Sequence, residues 1–136
     1  MRPLTIDLDA LALAMNSRSE AFYLDLHSGR VLPLLDAPEL EQALEEEPQR
    51  YLAIEALEPR DALHMMEDFL AGVVHPHAYT ALEHALSGRK PFRAFHHALA
   101  EYPEVGQDWL VFEGECLRER ALDWLAEHEL QPSANR

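Results

Sequence analysis

The sequence predicts an α+β fold, mostly α, in which a small antiparallel β-hairpin or three-stranded sheet packs on a body of four to six helices. Three observations carry that expectation. Apolar residues change to strand-like alternation between Phe22 and Leu35, around the pair Ser28-Gly29. Pro59, Pro76 and Pro91 each head an apolar run at helical spacing. A long helical pattern then extends from about Asp108 to Leu130.

Each element has a local reason. Thr5 to Met15 reads as a helix, with Asp7 as its N-cap and Leu8, Leu11 and Met15 on one face. Phe22, Leu24 and Leu26 alternate with Tyr23, Asp25 and His27, as in a half-buried strand. Ser28-Gly29 turns the chain, Gly29 taking positive φ, and Val31 to Leu35 returns as the second strand. Pro38 to Glu47 forms a short acidic helix with Leu40 and Leu44 as its apolar edge, and Pro48 ends it. Tyr51 to Ile54 is a candidate third strand. Pro59 starts a helix whose stripe is Leu63, Met66, Leu70 and Val73, widened by Ala62 and Phe69. Pro76 opens the next, with Tyr79, Leu82 and Leu86 inward, and Gly88 stops it. Pro91 opens a third, with Phe92, Phe95 and Leu99 inward, and Pro103 closes it. The last helix, roughly 35 Å long at 1.5 Å per residue, turns Trp109, Phe112, Cys116, Leu117, Ala121, Trp124 and Leu125 inward. The expected organisation is one compact domain over residues 1–130 and a frayed tail, Gln131 to Arg136.

Charge narrows the function classes. The chain has 136 residues, 11 basic and 25 acidic, for a formal net charge of −14. Such an excess repels phosphate backbones and anionic membrane surfaces, so general nucleic-acid binding and membrane association are not expected. No apolar run approaches a membrane span, and the N-terminus has no signal-peptide pattern, so cytosol is the expected compartment. The lone cysteine, Cys116, excludes an internal disulfide.

Several segments together resemble a known family. They are Tyr23-Leu24-Asp25-Leu26, Ser28-Gly29-Arg30-Val31, Met65-Met66-Glu67-Asp68-Phe69, Ala85-Leu86-Ser87-Gly88-Arg89, Pro91-Phe92-Arg93-Ala94-Phe95, Trp109 and Trp124-Leu125. The series is similar to the bacterial uncharacterised protein family 0158 of the UPF series, over nearly the whole chain to Leu130. The resemblance implies a compact unit. The family brings no assigned activity, cofactor or catalytic residue.

Four features could carry function. Arg89, Lys90 and Arg93 form a positive island: no acidic residue lies between Glu83 and Glu101. The island stands at a helix start, where the dipole already favours negative charge. An anion or phosphate-bearing ligand could be clamped there by a binding protein or weak enzyme. The alternative is an internal counter-charge from Glu67 or Asp68. Second, Glu115, Glu119, Asp123 and Glu127 recur at i+4 along the last helix. Like charges at that spacing destabilise a helix by a few tenths of a kcal/mol per pair. The row is either a solvated face or a surface for a basic partner. A further eleven acids fall between Asp36 and Asp68, which also admits inhibition of a basic toxin or nuclease. Third, eight histidines include His75, His77, His84, His96 and His97, but their spacing specifies no zinc site, and no metal is assigned. Fourth, Glu67, Asp68, Arg93 and His96 could in principle supply a base, an acid and an anion clamp, but there is no nucleophile elbow, phosphate-cradling loop or triad order, so no catalytic residue and no cofactor are assigned. The leading expectation is a non-enzymatic protein-binding or regulatory module whose partner is another protein, a basic protein being one candidate. Association into homo-oligomers is left open.

Overall fold

The computed structural model describes residues 3–4, 6–17, 20–35 and 37–132. Thr5, Asp36 and the tail residues 133–136, each part of an expectation above, lie outside them. The protein is α+β and mostly α, with six helices and five short strands among the described residues. Its chain divides into two compact units: residues 1–57 with 117–136, and residues 58–116.

In the first unit, α1 (Leu8–Met15) starts where expected. Asp7 is its N-cap, its carboxylate accepting from the N–H groups of Asp9 and Ala10. The hairpin is β2 (Phe22–Asp25) against β3 (Val31–Pro33), in register Tyr23 to Leu32 and Leu24 to Val31. Its loop is longer than the Ser-Gly pair alone: Asp25 donates to the Arg30 carbonyl and Gly29 donates back to the Asp25 carbonyl. Gly29 takes φ 79°, the positive value that the turn requires. After α2 (Pro38–Glu46), β4 (Tyr51–Ala53) pairs antiparallel with β2. The sheet order is therefore β3-β2-β4, and the third strand expected from four residues is real. One face packs on α1 and on residues 117–127 of α6 (Pro103–Glu127), through Leu11, Met15, Leu24, Ala121, Trp124 and Leu125.

The end of α6 leads into Gln131 and Pro132, the first two residues of the expected tail. Glu129 adopts φ 57°, and Leu130 donates back to the Leu125 carbonyl at 2.8 Å, a Schellman closure made without glycine. The reversal lets β5 (Gln131–Pro132) pair in parallel with β1 (Pro3–Leu4). Backbone pairing, which leaves no hydrophobic periodicity in two residues, holds this segment.

The second unit is α3 (Pro59–Ala71), α4 (Pro76–Leu86), α5 (Pro91–Ala100) and residues 103–116 of α6. All four helices begin with proline at the first turn, where the missing N–H has no intrahelical partner to lose. Pro103 thus opens α6 five residues before the expected start, in addition to closing the chain off from α5. Phe69, Phe95 and Trp109 meet edge to face, with ring centroids 5.0–6.5 Å apart. Such pairs each add about 0.5–1.5 kcal/mol beyond the area they bury. Two inward faces differ from expectation by part of a turn. On α3 the buried line is Ala62, Met65, Met66 and Phe69, with Leu63 and Leu70 only half-buried. On α4 it is Ala78, Leu82 and Ala85, while Tyr79 is 37% exposed. Alanines allow α4 and α5 to pack closely, and a tyrosine would hold them apart.

Candidate functional site

Among its described residues, the first unit has one buried charge. Asp25, at the end of β2, is only 5% exposed. Arg50, just before β4, reaches it with both arms of its guanidinium: Nε donates to Oδ1 at 2.9 Å and Nη2 to Oδ2 at 3.0 Å. The His27 N–H donates to the same Oδ1 at 2.9 Å. Arg50 also donates to Glu47 at 3.3 Å and lies over the Tyr51 ring. The Arg50 hydrogen bonds hold the Asp25 carboxyl well below the usual carboxylate range, against the opposing effect of burial, and the His27 N–H adds to them. The Asp25 bonds in turn raise Arg50 above its ordinary value. This group ties the hairpin loop to the incoming β4. Alternation alone put Asp25 on the outer face and gave Arg50 no partner. The available signal was a carboxylate inside a strand with a lone arginine after Pro48, and only the strand pairing says that the two meet.

In the second unit the positive island lines one side of a groove of about 620 Å³ between α4 and α5. Arg89, Lys90 and Arg93 line it together with His84 and His97, over a floor of Ala81, Ala85, Ala94 and Ala98. The three cations are exposed, and Lys90 is the N-cap residue of α5 without a side-chain cap. Among the described residues, no ion pair joins Arg89, Lys90 or Arg93 to Glu67, Asp68 or another carboxylate. Glu67 and Asp68 are exposed on α3, and Asp68 lines a different groove.

That second groove, about 640 Å³, runs between the end of α3, the α3–α4 connection and the first half of α6. Its apolar lining includes Phe69, Val73, Val74, Val105, Val111 and Phe112. Val74 is 95% exposed and Val111 63%. Asp68, Glu104, Asp108 and Glu115 line the same groove. Glu115, the first member of the predicted acidic row, therefore belongs to a feature that the spacing did not define. Glu119, Asp123 and Glu127 are exposed on residues 117–127 of α6. The apolar part went unread because Val74 and Val111 belong to no periodic stripe: one is in a connection and the other on an outer helix face.

The whole chain, residues 1–136, matches the model of an uncharacterised protein family, UPF0158. The chain belongs to this family. It is 51% identical, over 98% of its own length and 90% of the other's, to UPF0158 protein PA5073 of Pseudomonas aeruginosa. No solved structure matches. Membership of UPF0158 confirms the resemblance read from the sequence and leaves activity to be argued from the geometry.

The histidines serve local structure where their contacts are visible. His75 is the N-cap of α4, its Nδ1 accepting from the Ala78 N–H at 3.1 Å. His96 packs its ring near Phe95 and Trp109, and His128 lies tilted against Trp124 with ring centroids 4.7 Å apart. Among the described residues, no three histidine, cysteine or carboxylate side chains converge in a way that could hold a metal. No helix among them is long and apolar enough to cross a membrane.

Proposed function

We propose that this UPF0158 chain is a protein-binding module whose α3–α6 groove receives a basic, amphipathic segment of another protein. The observation that carries the reading is the pairing of exposed valines with carboxylates in one concave feature. Val74 and Val111 lose area to water that an apolar partner face would shield, at roughly 25 cal/mol per Å². Asp68, Glu104, Asp108 and Glu115 supply the charge that selects a basic partner and repels an acidic one. A binding site of this kind needs an apolar centre and a polar rim; α3 and α6 supply the carboxylates and Val111, and the α3–α4 connection supplies Val74.

The test uses a synthetic peptide with lysines on one helical face and leucines on the other. Its control is a scrambled peptide of the same composition, which keeps the charge and loses the apolar face. Titration should give binding about tenfold tighter for the amphipathic peptide than for the scrambled one. Val111→Ser with Asp108→Lys should remove that preference while circular dichroism stays unchanged. Equal affinity for the two peptides would reduce the interaction to the general attraction of a chain with net charge −14 and end the proposal.

A further inference from the structure

The positive groove between α4 and α5 has the opposite polarity and calls for a different occupant. It is concave and has a small-residue floor, so it accepts a convex helix at close range. Its rim of Arg89, Lys90 and Arg93 makes no ion pair among the described residues, and the one carboxylate in the lining, Glu101, leaves the three cations in excess. The occupant must therefore be a helix with acids along one face and something small and apolar between them.

Outside the residues that line or flank the α3–α6 groove, two exposed helix faces rich in acids occur among the described residues, and they can be distinguished. On α2 the exposed positions are Pro38, Glu39, Glu41, Gln42, Glu45 and Glu46, which offer almost nothing apolar to an alanine floor. On α6, Glu119, Asp123 and Glu127 alternate with Leu122 and Ala126, all five exposed, Leu122 at 41%. The i, i+3, i+4 and i+7 spacing puts them on one face. Among the described residues these three acids make no ion pair either.

We propose that the α4–α5 groove seats this acidic face of α6 from a second copy of the chain. Leu122 and Ala126 lie on the alanine floor, and the acids flanking them meet Arg89, Lys90 and Arg93. One contact thereby accounts for two features that are unfavourable in isolation: cations at a helix N-terminus and like charges at i+4 along a helix. The inference is independent of the α3–α6 groove and of what binds there.

Charge exchange tests it on the full-length protein. Sedimentation equilibrium of the wild type should show self-association rising with concentration at moderate ionic strength. Arg89→Glu with Arg93→Glu should weaken it by at least about tenfold, as should Glu119→Arg with Asp123→Arg. Mixing the two variants should restore association, because each then offers one intact and one reversed surface, and the reversed surfaces match each other. All the altered residues are exposed, and unchanged melting temperatures would show that each variant still folds. A wild type that stays monomeric into the high micromolar range would overturn the proposal. So would association that is indifferent to both pairs of reversals, or a mixture that fails to recover it.

Discussion

Asp25 shows what one buried side chain can decide. Three charge-assisted hydrogen bonds converge on its carboxylate, two from Arg50 and one from the His27 N–H. Because the folded pKa lies below the unfolded one, the folded state binds the proton more weakly. The stability contributed is fully present above the unfolded carboxylate value, near 3.9, and is lost as pH falls through the lower folded value. Asp25→Asn should therefore cost about 2 kcal/mol at neutral pH. Between pH 4 and strong acid the variant should show a shallower loss of stability than the wild type, read by urea denaturation at a series of pH values. Parallel acid profiles would mean that Asp25 gains nothing from its partners. Arg50→Lys supplies a charge but not the two-pronged geometry, and should recover only part of the wild-type stability.

At the scale of elements, the starts of α1 to α5 were legible because proline and Asp7 mark them chemically, the start of α6 was placed five residues late, and helix faces were legible only to within part of a turn. The case of α4 can be measured. Leu82 is fully buried and Tyr79 is not, although both stand at plausible core spacing. Leu82→Ala should cost about 2–5 kcal/mol, and Tyr79→Ala within about 1 kcal/mol, in thermal or chemical denaturation. Comparable losses would return Tyr79 to the core. The C-terminus of α6 supplies a gain of stability in place of a loss. Glu129 holds a left-handed conformation that suits glycine. Glu129→Gly should raise stability by about 1 kcal/mol, since the strain goes while the Leu130 to Leu125 hydrogen bond is kept. A fall in melting temperature would show that the Glu129 side chain does more for this cap than its backbone costs.

At the scale of the whole molecule, a net charge of −14 sets a field that reaches beyond any one groove. It attracts a basic partner before contact and is screened over about 10 Å at 0.1 M salt. The association rate of the cationic amphipathic peptide should therefore fall by roughly tenfold or more as salt rises from low to near-molar concentration. Its dissociation rate, which the proposed contacts with Val74 and Val111 would govern, should change much less, as stopped-flow mixing would register. A loss of affinity carried wholly by faster dissociation would contradict steering.

Composition and periodicity by themselves determined the α+β class, the starts of α1 to α5 and the Gly29 turn, while the likeness of the quoted segments pointed to the family. These depend on local rules: proline at a first turn, glycine at positive φ, alternation along a strand. Tertiary structure decided the rest, because it depends on residues far apart in sequence. Only strand pairing brings Arg50 to Asp25, and only the α3–α6 packing puts Val74 beside Val111 among carboxylates. The positive island stands where the sequence put it, on the start of α5, but its surroundings came from the fold. The groove has alanines beneath it, Glu101 in its lining and no ion pair to its three cations among the described residues, a fact that no spacing within the chain could express.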